Sequence, residues 1–338
     1  MSRSLVTLAA LLTAVATTFI SLQVQAVQRT HVSAAFGADA NAASNCTAAA
    51  PCRFFTAAMT VTDPNGEVIV LDSGGYGAVT ITQSVALIAP TGVYAGISVF
   101  PGADGVTIAT SGVNVVLRGL TINGQGGNNG ITMTAGSSLT VENCVISNLS
   151  GSGIFVNAIT SVNITDTTVR RNINYGIDFQ NGVKATITRA MVSGNVNGIG
   201  IRVEGIIAST TTTADIADST IDGNFIGVLA YSSNATAVVK VSVRDSRAVR
   251  NVSTGLYASS SAGAAASLTA SNNIVANNDR GIVAFSAGAK VWASGNTVSD
   301  NNSIGLSNIG GAFFETAGNN AVRNNGANVG TITAIATQ

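Results

Sequence analysis

The chain repeats one pattern of apolar and polar positions over most of its length. The stretch Leu139–Ile154, LTVENCVISNLSGSGI, alternates aliphatic and polar residues around short polar breaks. Such alternation over a few residues is typical of short, half-buried strands. Aligned on one polar turn residue, the pattern recurs at residues 141–146, 164–169, 187–192, 216–221, 243–248, 270–275, 293–298 and 317–322. Each recurrence predicts one structural unit of a solenoid.

Two further markers accompany this pattern and give the period. An asparagine follows each core, at Asn148, Asn172, Asn195, Asn224, Asn251, Asn278, Asn301 and Asn325. A glycine before an aliphatic residue closes most units, at Gly153, Gly176, Gly198, Gly227, Gly255, Gly281 and Gly305. Successive glycines are 23, 22, 29, 28, 26 and 24 residues apart. Three short strands per turn of this length predict a parallel β-helix in which equivalent residues stack about 4.8 Å apart.

Within a unit, the alternation assigns each side chain to a face. Val141, Cys144 and Ile146 are predicted to point inward, and Glu142 and Val145 outward. Because no His or Lys adjoins Cys144 in sequence, we expect a small buried thiol. The turn residue is mostly of a type that tolerates left-handed backbone angles: Asn143, Asp166, Arg189, Asp218, Asp245, Asn272, Gly295 and Asn319.

The N-terminal part of the chain lacks the repeat. Residues 27–50 are small and polar and predict an extended lead-in. In residues 51–62, Phe54, Phe55, Ala58 and Met59 fall on one side at helical spacing, which predicts a short helix that caps the first coil. Residues 51–338 are then predicted to form a single all-β domain, the cap helix followed by about ten coils.

Residues 1–26 have the features of a secretory signal peptide. Arg3 precedes an apolar run from Leu5 to Ile20, and Val24-Gln25-Ala26 is a small-residue cleavage pattern. The run is shorter than a spanning helix needs, and no later segment could span a bilayer. We therefore expect a secreted or periplasmic protein. In that setting Cys46 and Cys52, which lie close together, are expected to form a disulfide.

Charge narrows the classes of partner. Charged residues make up 9% of the chain, with 16 Lys and Arg against 16 Asp and Glu. This balance gives no electrostatic footprint for nucleic acid or for an anionic membrane surface. Oligomeric state is not readable from the sequence.

The repeat, h-x-[ND]-x-x-[VI]-x-x-N…G-[IVL], follows a segment VLDSGGYGAVTITQSVALIAP. Together these resemble the right-handed parallel β-helix proteins of the pectate-lyase-like superfamily over roughly residues 51–338. The resemblance implies that fold. It leaves activity open, since the superfamily contains lyases, hydrolases, esterases, epimerases and adhesins. Insertions after the glycine-aliphatic strand, at 204–213, 232–237 and 259–266, fall at the edge where this superfamily commonly builds its substrate cleft.

The resemblance to pectin methylesterases is closest at two segments. Residues 74–78, GGYGA, match the start of their G-x-Y-x-E signature with alanine in place of the glutamate. Residues 178–182, DFQNG, resemble the motif that carries their nucleophile, Asp178 in this chain. With Phe155 and Gly200 expected beside it, Asp178 has no partner acid, and we expect a solvated strand residue. If catalysis exists, Asp178, Arg202 and Glu204 are its candidate residues, because Arg202 is expected to stack beside Gln180 in the next coil, which would place the three on one face.

Polygalacturonase-like aspartate clusters are absent, and the single His31 lies in the lead-in. No cofactor is expected. The acids sit mainly in turns, where aspartate is a common turn former. Asp218 and Asp245 are predicted on adjacent coils, so a weak calcium contact is the one metal alternative.

Aromatic residues give a different signal. Phe155, Tyr231, Tyr257 and Phe285 come two or four residues after a closing glycine, on the predicted outward face. Exposed aromatic faces are common stacking platforms for sugar rings. The alternatives are that a loop covers them or that they are isolated surface residues. The leading hypothesis is an exported, non-catalytic protein that binds a polysaccharide or cell-envelope glycan. The alternatives are a carbohydrate-active enzyme acting near Asp178 and a structural or adhesive surface protein.

Overall fold

A computed structural model describes residues 27–261 and 263–335, so the predicted signal peptide lies outside the described residues. The described part contains a 3-10 helix at Asp39–Ser44 and one α-helix, α1, at Phe55–Met59. None of its helices has the length and apolarity needed to cross a membrane. In chain order its strands are β1 Arg29–Val32, β2 Gly66–Val70, β3 Gly74–Gly75, β4 Val79–Ile81, β5 Val85–Ile88, β6 Ala95–Val99, β7 Val106–Ile108, β8 Asn114–Arg118, β9 Leu120–Gly124, β10 Ile131–Met133, β11 Ser138–Glu142, β12 Val145–Ser147, β13 Ser152–Asn157, β14 Ser161–Thr165, β15 Thr168–Arg170, β16 Tyr175–Gln180, β17 Lys184–Thr188, β18 Met191–Ser193, β19 Ile199–Gly205, β20 Thr211–Ala217, β21 Thr220–Asp222, β22 Ile226–Ser232, β23 Val238–Arg244, β24 Arg247–Val249, β25 Thr254–Ser260, β26 Ala265–Ser271, β27 Ile274–Ala276, β28 Arg280–Phe285, β29 Ala289–Ser294, β30 Thr297–Ser299, β31 Ile304–Ile309, β32 Phe313–Thr316, β33 Ala321–Arg323, β34 Ala327–Val329 and β35 Thr333–Ala334.

These strands form three sheets that run the length of the molecule. Sheet A has the order β1-β2-β5-β8-β11-β14-β17-β20-β23-β26-β29-β32-β35, sheet B the order β3-β6-β9-β12-β15-β18-β21-β24-β27-β30-β33, and sheet C the order β4-β7-β10-β13-β16-β19-β22-β25-β28-β31-β34. Neighbouring strands pair in parallel, as β16 and β19 do. The chain visits the sheets in the order C, A, B and returns to C one strand further along. The predicted parallel β-helix is confirmed, with about eleven coils where about ten were expected.

The core is a continuous apolar column enclosed by the three sheets. The inward prediction is confirmed for Val141, Cys144 and Ile146, each at most 1% exposed, whereas Glu142 and Val145 are partly exposed. Burying one such aliphatic side chain stabilises the fold by about 1.5–3 kcal/mol. Because each coil contributes several, the column is the main source of stability.

The turn from sheet A to sheet B is made by one residue in the left-handed region. Its backbone φ is close to +50° at non-glycine positions, which explains the preference for Asn and Asp there. The predicted turn residue Asn319 is wrong, because the left-handed residue in that coil is Gly318, with φ of +75°. The turn residues of successive coils are Asn143, Asp166, Arg189, Asp218, Asp245, Asn272, Gly295 and Gly318.

A buried asparagine ladder follows sheet B. In each step the side-chain Oδ1 of one asparagine accepts a hydrogen bond from the backbone N–H of its equivalent in the preceding coil, as between Asn224 and Asn251 at 3.0 Å. These bonds satisfy turn donors that the core would otherwise leave unpaired. Asn148 is not in the ladder: it is exposed and left-handed, and the ladder position is taken by Leu149. The ladder residues are Asn172, Asn195, Asn224, Asn251, Asn278, Asn301 and Asn325.

The closing glycines stack against this ladder. A Cβ added to Gly227 would lie 2.4 Å from the carbonyl oxygen of Gly255 and 3.0 Å from Nδ2 of Asn251. A side chain at these positions would therefore collide with the backbone of the next coil. The asparagine and glycine markers of the repeat therefore pack against each other in the structure.

The N-terminal segment is part of the solenoid. Residues 27–50 were expected to be an extended lead-in, but Arg29–Val32 form β1, the first strand of sheet A. The predicted helix over 51–62 is shorter, at Phe55–Met59, and buries Phe55, Ala58 and Met59. Phe54 precedes it in an extended conformation and is exposed. That the helix caps the coils stays a prediction.

Two links hold this segment in place. Cys46 and Cys52 form a disulfide, and both are fully buried. Asp72 accepts hydrogen bonds from the hydroxyl groups of Ser33 and Tyr76 and from the backbone N–H of Ala34. Burial opposes ionisation of Asp72, but these hydrogen bonds outweigh it and lower its pKa to about 2. The segment is thereby tied to the loop after β2.

Candidate functional site

The register of sheet C decides which candidate residues meet. Asp178 of β16 pairs with Arg202 of β19, and Gln180 pairs with Glu204. The expected pairing of Arg202 with Gln180, and of Gly200 with Asp178, is wrong by two residues. The coil contains two glycine-isoleucine pairs, and the one in register with Gly176 begins at Gly200 and not at Gly198, because Ile177 pairs with Ile201.

Arg202 is the centre of the resulting cluster. Its Nε and Nη2 donate to the two carboxylate oxygens of Asp178 at 2.8 and 2.7 Å, and its Nη1 lies 2.8 Å from Oε2 of Glu204. A two-pronged guanidinium–carboxylate pair is among the strongest hydrogen-bonded arrangements in proteins. All three guanidinium nitrogens are therefore engaged by carboxylates.

Two uncharged groups complete the cluster. Nε2 of Gln180 donates to Oδ2 of Asp178 at 3.1 Å and lies 3.5 Å from Oε2 of Glu204, so one amide contacts both acids. The ring of Tyr175 lies 4.1 Å from Cζ of Arg202, which is cation–π geometry. The sequence did not identify Gln180 or Tyr175 as site residues. The only available signal for Gln180 was its period-two spacing from Asp178 along an outward-facing strand.

Asp178 is buried, contrary to the expectation of a solvated strand residue. It is 2% exposed, and the side chain of Arg202 is 16% exposed. Burial raises the pKa of Asp178, although the Arg202 hydrogen bonds offset part of the rise. Burial also raises the pKa of Glu204. The positive charge of Arg202 opposes this rise, and the negative charge of Asp178 adds to it. For Arg202, burial lowers the pKa, but the hydrogen bonds to Asp178 outweigh it and the net shift is upward.

The loop after β19 is anchored to the same cluster. Asn181 is in the left-handed region, and its Oδ1 accepts hydrogen bonds from the backbone N–H groups of Ile206 and Ile207 at 3.1 and 3.0 Å. The hydroxyl of Thr212 donates to the carbonyl oxygen of Glu204 at 3.1 Å. These bonds hold the end of β19, and with it the Glu204 carboxylate, against β16.

The four aromatic candidates lie on two neighbouring ladders of the outer face of sheet C. Phe155 and Tyr257 share the ladder of Asp178 and Arg202, whereas Tyr231 and Phe285 share the ladder of Gln180 and Glu204. Phe155 adjoins Asp178, and Tyr231 adjoins Glu204. The polar cluster is thus flanked by an aromatic residue on each side along the solenoid axis.

The C-terminal half of this face holds the closest aromatic pair. The rings of Tyr257 and Phe285 are 6.4 Å apart with a 56° interplanar angle. Phe285 is 38% exposed, and Phe155, Tyr231 and Tyr257 are partly exposed. The Tyr231 hydroxyl lies 3.1 Å from that of Ser261, which fixes one side of its ring.

Comparison with known proteins addresses the fold. Residues 65–205 match the family model described as a right handed beta helix region. The structure resembles a pectate lyase, Pel9A, with a TM-score of 0.54 and 17% identity, over 89% of this chain and 80% of that one. The protein has a right-handed parallel β-helix fold of the pectate-lyase-like kind.

Two further β-helix structures are similar to the same extent. One is the A-module of the mannuronan C-5 epimerase AlgE6 of Azotobacter vinelandii, with a TM-score of 0.53 and 16% identity, over 81% of this chain and 91% of that one. The other is XylC in complex with xylose, with a TM-score of 0.51 and 9% identity, over 91% of this chain and 70% of that one. No curated protein matches the chain at a significant level. At these identities the likeness concerns the β-helix alone.

Two acids at the turns of the β-helix lie beside arginines. Asp166 receives two hydrogen bonds from Arg189, at 2.7 and 2.8 Å, which lower its pKa. Asp245 lies 3.6 Å from Arg244. Within residues 27–261 and 263–335 there is no group of three or more His, Cys, Asp or Glu side chains arranged to hold a metal ion.

The remaining sequence candidates are structural. Cys144 is a buried free thiol, and burial raises its pKa to about 12, so thiolate chemistry is suppressed. Tyr76, in the segment that resembles the methylesterase signature, is fully buried and donates its hydroxyl proton to Asp72. Neither residue lies on the outer face of sheet C.

Proposed function

We propose that this β-helix protein is exported and binds a linear polysaccharide or cell-envelope glycan on the outer face of sheet C, without catalysis. The observation that carries the proposal is the order of residues along that face. Phe155, the Asp178–Arg202–Glu204 cluster, Tyr231 and the Tyr257–Phe285 pair follow one another over six strands. Six strands at about 4.8 Å spacing extend about 24 Å along the axis.

Both kinds of side chain on this face suit a sugar polymer. Aromatic rings stack on the apolar faces of pyranose rings, and carboxylate, amide and guanidinium groups bond hydroxyl groups. The strands of this face stack along the axis, and a chain of linked sugars extends in the same way. The pectate lyase and the mannuronan epimerase of similar fold are named for polysaccharide substrates, which adds support for this ligand class.

The absence of catalysis is inferred from how the acids are held. Both oxygens of Asp178 accept hydrogen bonds from Arg202, and Oε2 of Glu204 lies against the same guanidinium. A nucleophile or general base needs a lone pair free to reach the substrate. Because its oxygens accept hydrogen bonds from Arg202 and its side chain is buried, Asp178 has a structural role in this proposal: it holds Arg202 in position on the binding face.

A second candidate function, a carbohydrate-active enzyme, is favoured by one observation. Two carboxyl groups converge on the single amide of Gln180, and burial raises the pKa of both. Raised carboxyl pKa values are what general acid catalysis near neutral pH requires. If a substrate displaced Arg202 from Asp178, the pair could divide the acid and base roles.

The experiment is a glycan-array screen of residues 27–338, with and without calcium, that follows both retained protein and released sugar products. Retention without product supports the recognition function, and the Tyr257→Ala/Phe285→Ala double variant should then lose at least tenfold in affinity. The matched control, Phe36→Ala/Tyr94→Ala, removes two exposed aromatic rings elsewhere and should bind as the wild type does.

Other outcomes decide against the proposal. Product release that Asp178→Asn abolishes would establish the enzyme instead. Dependence on calcium would require a metal contact that the proposal does not contain. If the protein neither binds a glycan nor releases a product, the assignment shifts to a structural or adhesive role. Export is tested separately by the N-terminal sequence of the mature protein, which should begin at Val27.

A further inference from the structure

Exposed apolar side chains form a row along the edge between sheets B and C. In four consecutive coils the residue after the ladder asparagine is large and apolar, and between 43% and 59% of its surface is exposed. Backbone hydrogen bonds between coils hold these turns in line, as between the N–H of Val252 and the carbonyl oxygen of Asn224 at 2.8 Å. We call this row the apolar edge, and its residues are Ile173, Val196, Phe225 and Val252. At about 4.8 Å per coil it is about 14 Å long.

The outer face of sheet C widens this apolar surface. Tyr175, Ile199 and Ile226 pair with one another on β16, β19 and β22, in the same coils as the first three residues of the apolar edge. All three are partly exposed. Seven apolar side chains on neighbouring turns and strands therefore meet the solvent. A cluster of this kind marks an interaction site, whereas isolated exposed apolar residues do not.

The two ends of the apolar edge carry opposite charges. Arg170 and Arg171 lie in its first coil and are exposed. Asp279 and Asp300 belong to the two coils that follow its last one, where Asp300 is exposed and Asp279 partly so. In the part of the chain that the structure describes, no salt bridge involves Arg170, Arg171 or Asp300, and Asp279 lies 3.6 Å from Arg280. The edge therefore has a basic end, an apolar middle and an acidic end.

The middle of the edge has little bulk on its sheet B side. The left-handed turn position is glycine in two successive coils, Gly194 and Gly223, between the coils of Arg171 and Arg250. Both glycines are partly exposed. Asp222, which precedes Gly223, accepts a hydrogen bond from Arg250 of the same chain. A partner surface can therefore approach the backbone closely at both glycines without meeting an unpaired acid.

We propose that the apolar edge is a self-association surface, on which two copies of this chain pack antiparallel about a two-fold axis. An axis perpendicular to the solenoid places the basic end of each copy against the acidic end of the other, so each charge contact is made twice. A parallel arrangement would set arginines against arginines and aspartates against aspartates. The charge pattern of the edge is thus complementary to itself in one orientation.

Charge also fixes the register of the two copies. If the axis passed midway along the apolar edge, Arg171 of each copy would face Arg250 of the other, and like charges would meet. With the axis at Phe225, Arg250 faces Gly194 of the second copy, where no side chain opposes it. We therefore place the axis at Phe225.

In this register the contacts are apolar at the centre and charged at both ends. The two Phe225 rings meet at the axis, and Val196 packs against Val252 of the second copy on either side. Arg171 faces the coil of Asp279 of the second copy and lies one coil, about 4.8 Å, from the coil of Asp300. A long arginine side chain reaches either carboxylate over that distance.

The size of the contact sets its strength. Asp300 lies three coils from Phe225, so the interface extends three coils to either side of the axis and is about 29 Å long. At a width of a few residues, its area is below the roughly 800 Å² per partner of stable complexes. We therefore expect a reversible dimer with a Kd of about 10–200 µM.

The test is analytical ultracentrifugation of residues 27–338 over about 1–500 µM, without glycan. The wild type should shift from monomer to dimer, and its affinity should fall as salt increases, because the end contacts are charged. Phe225→Asp places two carboxylates together at the axis and should weaken the dimer about tenfold or more. The matched control, Phe100→Asp, makes the same change at an exposed phenylalanine elsewhere and should dimerise as the wild type does.

Charge reversal tests the orientation. Arginine and aspartate both occur at this left-handed turn position, so exchanging them preserves the turn. Arg171→Asp or Asp300→Arg alone should weaken the dimer about fivefold or more, whereas the double variant Arg171→Asp/Asp300→Arg should recover the wild-type affinity within about threefold. Lys184→Asp, at an exposed position of sheet A, changes the net charge as much as Arg171→Asp and should have no effect.

Several outcomes would overturn the proposal. A monomer at every concentration does so, as does a dimer that Phe225→Asp leaves intact. A double reversal that dimerises no better than the single ones contradicts the antiparallel arrangement. Oxidation of Phe225→Cys with diamide should link the two copies through that position, and a persistent dimer without this link contradicts the axis at Phe225. The glycan proposal fails separately, because Tyr257→Ala/Phe285→Ala should leave the dimer unchanged.

Discussion

Removal of Arg202 tests the central cluster most directly. The variant Arg202→Met keeps a long apolar stem but leaves Asp178 and Glu204 as buried carboxylates without their cation. Breaking a buried ion pair by deleting one partner costs about 3–5 kcal/mol, because the remaining charge stays desolvated. Three nitrogen–carboxylate contacts of 2.7–2.8 Å are lost at once, and Asp178 is 2% exposed. We therefore expect a loss of about 3–5 kcal/mol at neutral pH.

The loss should depend on pH in a defined direction. The pKa of Asp178 is already raised by burial in the folded state. A raised carboxyl pKa means that the fold favours the neutral form, so the penalty is absent below the ordinary pKa of 3.8 and grows as pH rises from there to the raised folded-state pKa. Arg202→Met raises this pKa further. The variant should therefore be less destabilised at about pH 4, near the ordinary aspartate pKa of 3.8, than at about pH 7, and Asp178→Asn in the same chain should restore much of the lost stability at neutral pH.

The assay is chemical unfolding followed by circular dichroism at both pH values, with amide hydrogen exchange to detect local opening of β16 and β19. The matched control is Arg118→Met, because Arg118 donates to Glu142 at 2.7 Å from an exposed strand position. An exposed pair contributes up to about 1 kcal/mol. If Arg202→Met costs no more than the control, or costs the same at both pH values, the burial argument is refuted.

Three other predictions concern the solenoid. Gly227→Ala would place a Cβ 2.4 Å from backbone of the next coil and should destabilise by about 2–4 kcal/mol in thermal unfolding, whereas at Gly75 the nearest atom is 3.9 Å away and alanine should change stability by less than about 1 kcal/mol. Asn251→Ala leaves buried groups in both neighbouring coils unpaired and should cost about 2–4 kcal/mol in chemical unfolding, against under about 0.5 kcal/mol for exposed Asn163→Ala. Equal effects within either pair would contradict the packing. The pKa of Asp72 is lowered from 3.8 to about 2, so the stabilisation by its carboxylate is complete above about pH 4 and is lost as pH falls toward 2. The stability difference between wild type and Asp72→Asn should therefore shrink over that range. A difference that stays constant would contradict this prediction.

The sequence predicted the β-helix because its rules are local and repeated. Alternation fixes which side chains face inward, a left-handed turn favours Asn, Asp or Gly, and the Asn and Gly markers recur once per coil. Each rule was available many times over, so single errors did not change the result. The turn at Gly318 and the ladder position at Leu149 were misplaced by one residue, and the fold was unaffected.

The candidate site was less predictable, because it depends on register between coils. In the coil of Arg202 the glycine-isoleucine pair occurs twice, at Gly198 and Gly200, and sequence gives no reason to prefer the second. The structure places Gly200, and not Gly198, against Gly176: a Cβ on Gly176 would lie 2.5 Å from the carbonyl oxygen of Gly200. A shift of two residues moved Arg202 from Gln180 to Asp178, and with it the partner of the buried acid.

The sequence by itself therefore determined the repeat, the inward face, the buried thiol of Cys144 and the outward side of the aromatic candidates, because these follow from periodicities within one coil. Only the tertiary structure decided which side chains of different coils touch. It brought Asp178, Arg202 and Glu204 together and divided the four aromatic residues between two ladders. Asp178 and Arg202 are 24 positions apart, and their pairing is set by the stacking of coils, which no local pattern encodes.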